Sequence, residues 1–137
     1  MPADSEAAQA AGLRQGSETV LLVEGEELLR SVTSRTLSQC GYQVIDAPDG
    51  TRALELLAAS ISRVALTVAD VVLPDMHGVA LLERISAVSP ETRFLLMTGN
   101  PPSAGVLSGQ PRGTGIIQKP FTPEALTQRI RAILDMS

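Results

Sequence analysis

The sequence has few aromatic residues: two Phe, one Tyr and no Trp, together 2% of the chain. That scarcity argues against holding single-stranded nucleic acid by stacking bases on aromatic rings. Positive charge is not in excess either, because 11 Lys and Arg face 15 Asp and Glu for a net charge of -4. A nucleic acid backbone would repel such a domain, and no nucleic acid partner is expected. No run of 18 apolar residues exists, and the amino terminus lacks a basic segment followed by an apolar one. Neither a membrane span nor a signal peptide is expected, and the expected location is the cytoplasm. The single cysteine, Cys40, has no internal disulfide partner and stands just before Gly41 at the end of a helical pattern. It reads as a small buried apolar residue. His77 follows Pro74 in a loop with no second His or Cys nearby, so a solvated side chain is expected, with Met76 packed under the loop. The phosphate loop GxxxxGK and the dinucleotide spacing GxGxxG are also missing.

What is present is an aliphatic chain of one-domain length, 137 residues with 44% apolar composition. Residues 1–17, rich in Ala, Gln, Gly and Ser, read as a flexible leader or linker, and residues 18–137 as the folded domain. From Thr19 short apolar runs recur: TVLLV (19–23), YQVIDA (42–47), VALTVA (64–69), RFLLM (93–97) and GIIQ (115–118). Such runs suit strands covered on both faces.

Helical patterns lie between most of them. Residues 26–40 place Leu28, Leu29, Val32, Thr36, Leu37 and Cys40 on one face, and residues 50–60 place Ala53, Leu54, Leu57 and Ala58 together behind an Asp49 cap. Residues 79–88 turn Leu81, Leu82, Ile85 and Val88 inward. Thr122, Pro123 and Glu124 make a helix start that leads into residues 125–134. Alternating strands and helices predict an α/β fold, a doubly wound five-stranded parallel sheet with helices on both faces. The stretch from Thr98 through Gly115 carries three prolines and five glycines, so the fourth helix is expected to be short or disordered.

Ligands of open parallel sheets gather at the carboxyl ends of the strands. Glu24, Asp70, Thr98 and Lys119 follow the first, third, fourth and fifth runs, so they should share one edge. Two carboxylates can hold a hard divalent cation, a hydroxyl can donate to a phosphoryl oxygen, and a lysine can neutralise its charge. An aspartate in that setting is a reasonable nucleophile toward phosphorus.

The segments DVVLPDMHG (70–78), MTG (97–99) and KPF (119–121), with ETVLLVE (18–24), resemble the receiver domains of two-component signalling, especially those of hybrid histidine kinases. The resemblance covers residues 18 to about 134. It implies that Asp70 is the phosphoacceptor, that Thr98 and Lys119 stabilise the phosphoryl group, and that Lys119–Pro120 is a cis peptide. It further implies a histidine kinase as partner, either separate or joined through the leader. A Mg²⁺ ion would be held by Asp70, by the backbone carbonyl of Val72 and, through water, by Glu24.

The chain departs from the family pattern at two site positions. Gly25 stands where the second acid, a direct metal ligand, is usual, and Ile116 stands at the aromatic switch position. Losing even a supporting partner costs about 10- to 100-fold in metal affinity, roughly 1.4 to 2.7 kcal/mol, so Mg²⁺ is expected to be weak or absent. The alternative is a pseudo-receiver, a protein-binding module independent of phosphorylation. Enzyme readings are weaker: a haloacid dehalogenase phosphatase needs a second Asp where Val72 stands, and no aromatic residue is placed to stack on a flavin. The oligomeric state is open.

Overall fold

The computed structural model describes residues 13–60, 63–99 and 113–136. Its elements are β1 (Thr19–Val23), α1 (Glu27–Gln39), β2 (Gln43–Ala47), α2 (Gly50–Ala59), β3 (Val64–Asp70), α3 (Gly78–Val88), β4 (Arg93–Thr98), β5 (Thr114–Gln118) and α4 (Pro123–Leu134). The five strands pair in parallel in the order β2-β1-β3-β4-β5. This is the doubly wound sheet that the alternating pattern predicts. Its strand order reverses between β1 and β3, which opens a crevice at their carboxyl ends. The expected short or disordered fourth helix falls within residues 100–112, which lie outside the described residues.

Each strand feeds two cores because successive side chains point to opposite faces. Val20 and Leu22 join Leu37, Cys40, Leu126 and Ile130 beneath α1 and α4. Leu21 and Val23 join Ala53, Leu81, Leu82 and Ile85 beneath α2 and α3. Cys40 is fully buried, and desolvation pushes its thiol up.

The helix starts follow their local chemistry. Asp49 accepts from the Arg52 amide, and Thr122 accepts from the Ala125 amide with Pro123 in the first turn. His77 is more than a solvated loop residue, because its Nδ1 accepts from the Val79 amide at 3.2 Å and starts α3.

Four residues expected inside stand outside. In α1 the buried stripe runs through Thr33 and Leu37, with Leu29 half-buried beside them. Leu28 and Val32 each precede that stripe by one residue, a rotation of about 100°, and are exposed. Val88 and Ala58 lie near the carboxyl ends of α3 and α2 and are also exposed.

The leader expected through Ser17 is attached from Leu13 onward. Leu13 packs on the α1/α4 core, and the Gly16 amide donates to the Cys40 carbonyl at 3.0 Å. Gly41 allows this approach: its φ is +102°, and any side chain there would meet the Gly16 carbonyl.

Candidate functional site

Glu24 extends β1 by one step, with its amide donating to the Ala47 carbonyl at 3.1 Å. That bond turns its side chain into the crevice, where the residue is only 2% exposed. One carboxylate oxygen, Oε2, accepts from the Glu26 amide at 2.9 Å. The other, Oε1, accepts from Lys119 Nζ at 2.6 Å. Asp70 ends β3 and brings Oδ1 to 2.7 Å from the same ammonium. Lys119 follows β5, its amide donates to the Thr98 carbonyl at 2.7 Å, and the Lys119–Pro120 peptide is cis as the resemblance implied. Thr98, half-buried at the end of β4, lines the same open cleft of about 420 Å³. All four residues proposed from the strand ends therefore meet at one edge.

One ammonium between two carboxylates leaves the cluster one negative charge in excess, and the acids divide the consequence unequally. Burial and the neighbouring Glu24 carboxylate push Asp70 up to about 7, against the pull of Lys119. Burial also penalises Glu24, but its contacts with Asp70, Lys119 and the Glu26 amide hold it below the ordinary value. Asp70 is therefore the acid of the pair that takes up a proton more readily, while the Glu26 amide helps to stabilise the charge of Glu24. Burial lowers Lys119, but its two acid partners more than offset that and raise it, so it stays charged.

Gly25 is exposed on the rim. A Cβ added there would lie 3.3 Å from Cγ and Cδ of Pro74 and 3.6 Å from the Pro48 carbonyl, so a side chain at this position would press on the proline ring. Val72 lines the cleft and is exposed. Ile116 does not enter the charged cluster. It is half-buried and packs on the α2/α3 core. Among the described residues no group of three His, Cys, Asp or Glu could hold a metal ion. Two carboxylates that share one lysine are a poor donor set for a hard cation that prefers six oxygens.

Sequence reasoning missed two contributors. Arg30 reaches back from α1 to donate to the Glu24 carbonyl at 2.8 Å. Asp75, in the loop after Asp70, accepts from the amides of Gly50 and Thr51 at 2.9 Å each and from the Thr51 hydroxyl at 2.6 Å. Asp75 has no local signal, since it and its partners lie 24 and 25 residues apart. A larger cleft of about 660 Å³ opens at the amino ends of the strands. Its Glu18 and Arg93 are already engaged, by Arg131 and by the Ile133 carbonyl respectively.

The fold and the site define a doubly wound domain with an aspartate, an accessory acid, a hydroxyl and a lysine at the switch point of its sheet. The sequence model described as response regulator receiver domain matches residues 20–131, and the chain belongs to that family. It is 33% identical over 121 residues to the sensor kinase CckA of Brucella abortus, covering 88% of this chain but 13% of that protein. With TcrX of Mycobacterium tuberculosis, a probable transcriptional regulatory protein, identity is 34% over 85% of this chain and 49% of the relative. The chain thus spans half or less of both. The receiver protein CpdR of B. abortus is 29% identical over 84% of this chain and 95% of its own length. Among solved structures, the chemotaxis regulator CheY4 of Vibrio cholerae superposes with a TM-score of 0.75 at 28% identity, covering 86% of this chain and 99% of CheY4. The receiver domain of the hybrid histidine kinase CckA gives 0.72 at 26% identity, covering 85% and 99%.

Proposed function

We propose that this domain accepts a phosphoryl group on Asp70 from a histidine kinase, in a pocket that holds magnesium weakly or not at all. The observation that carries the reading is the Lys119 ammonium set 2.6 and 2.7 Å from the carboxylates of Glu24 and Asp70 at the sheet's switch point. In the transfer, an ionised Asp70 oxygen attacks phosphorus while the bond from phosphorus to the donor imidazole nitrogen breaks. The electron pair returns to that nitrogen, which takes up a proton, and Asp70 becomes an acyl phosphate. Lys119 is positioned to follow the negative charge onto the new phosphoryl oxygens, and Thr98 to donate its hydroxyl to one of them. Glu24, bonded to the Glu26 amide, keeps Lys119 in place through the step.

A second reading, a pseudo-receiver controlled by protein contacts alone, is favoured by Gly25, which brings no carboxylate to the cleft, and by the proline ring close beside it. Intact-mass analysis after incubation with phosphoramidate, with and without magnesium, separates the two. One added phosphoryl group, lost in Asp70→Asn, supports the acceptor. No gain under either condition supports the pseudo-receiver. Magnesium titration by amide NMR on the parent and on Gly25→Asp tests the cation separately. The expected result is an apparent affinity at least about tenfold tighter in the variant. Equal affinities would remove any role for position 25 in cation binding.

A further inference from the structure

Asp75 lies outside the charged cluster, yet it ties one wall of the pocket to a neighbouring helix. The loop from Val71 to His77 closes on itself: Leu73 N donates to the Met76 carbonyl at 3.2 Å, and Gly78 N to the Val71 carbonyl at 2.6 Å. Val72 and His77 form an isolated bridge at its neck. Gly78 permits this closure, because a Cβ there would lie 2.9 Å from Val71 Cα and meet the Asp70 carbonyl. The loop's far end is fastened to another element. The Asp75 carboxylate takes both leading amides of α2, Gly50 and Thr51, together with the Thr51 hydroxyl.

Those amides have no partner within their own helix, and a carboxylate there satisfies them while facing the positive end of the helix dipole. Asp49 serves a different donor, the Arg52 amide, so it does not replace Asp75. Met76 packs against Gly50 so closely that a Cβ there would stand 2.5 Å from its sulfur. Asp75 and Met76 therefore seat the loop on α2 as a pair. The seated segment includes Pro74, whose ring stands over Gly25, and Val71 and Val72, which line the cleft beside Asp70.

We infer that Asp75 is a positioning residue for Asp70: through Gly50 and Thr51 it sets where the Val71–Pro74 wall stands relative to the acceptor carboxylate. The inference rests on the proposed phosphoryl transfer for its functional consequence, but its structural part stands apart from it. Three of the wall's four residues, Val71, Val72 and Leu73, carry amides that NMR can follow, whereas Pro74 has none.

The test uses the whole chain with Asp75→Ala, Asp75→Asn, which keeps one acceptor oxygen, and Thr51→Val, which removes only the hydroxyl bond. Two quantities are read: amide shifts of Val71, Val72 and Leu73, and the rate of phosphoryl gain as a function of phosphoramidate concentration. The expected result is a graded displacement of the wall amides, largest in Asp75→Ala. The saturating rate should fall by about tenfold in that variant with little change in the half-saturating concentration, less than the hundredfold that a 1 Å misplacement can cost. Partial recovery in Asp75→Asn would mark the hydrogen bonds as the cause. Shifts confined to residues 49–53, with wall amides and rate unchanged, would overturn the inference and leave Asp75 a helix cap only. If the parent takes up no phosphoryl group, the acceptor reading fails, and the wall amides alone decide the positioning role.

Discussion

Asp70 keeps its proton to about pH 7 because it is buried and stands beside the Glu24 carboxylate. Its folded pKa lies above its ordinary value of 3.8, so the folded state binds this proton more tightly than the unfolded chain does. The contribution to stability is full below about pH 4 and is lost as pH rises through about 7. Asp70→Asn, which carries no charge to lose, should therefore be more stable than the parent at pH 8 by about 1 to 2 kcal/mol. The two should converge near pH 4, which urea unfolding at both values checks. The meeting of Glu24, Asp70, Thr98 and Lys119 at one edge was legible because each immediately follows an apolar run, and strand ends share an edge. Asp75 was not, because its partners lie 24 and 25 residues away, and Arg30 was not, because its partner is a backbone carbonyl that no side-chain pattern marks.

At the scale of elements, hydrophobic spacing located every strand and helix within the described residues, with ends shifted by no more than two residues. It was less reliable about helix faces. In α1 a buried threonine, Thr33, takes the inward place, and Leu28 and Val32 stand in solvent, 76% and 54% exposed. An amphipathic pattern counts leucine and valine as inward, whereas contact with β1 and β2 decides which turn of the helix is covered. Leu37→Ala should cost about 2 to 5 kcal/mol and Leu28→Ala less than about 0.5. Equal losses in chemical denaturation would return Leu28 to the core. The rim held similar ambiguity: Gly25 was visible as a missing acid, but its closeness to Pro74 depends on a loop 49 residues further along the chain.

Across the whole molecule, the segment before β1 is fastened to the last helix. Arg131 makes paired bonds of 2.9 Å to both oxygens of Glu18 and also reaches Tyr42 and Asp135. Those bonds hold Glu18 at about 2, below its ordinary 4.5. A lowered acid stabilises the fold above its unfolded value, and that contribution fades as pH falls from about 4.5 to about 2. Because the pair is partly open to water, Glu18→Gln should cost only about 0.5 to 1 kcal/mol at pH 7. The gap between parent and variant should close toward pH 2, and an undiminished gap there would assign the loss to something other than the ion pair.

The fastening at Leu13, Gly16 and Glu18 lies at the amino edge of the sheet, and Asp70 lies at the carboxyl edge. The seven residues of β3 separate the two edges by about 23 Å at 3.3 Å per residue. A domain joined ahead of Leu13 must therefore swing around the flank of the sheet before it can touch Asp70. A molecule arriving from solution faces no such detour.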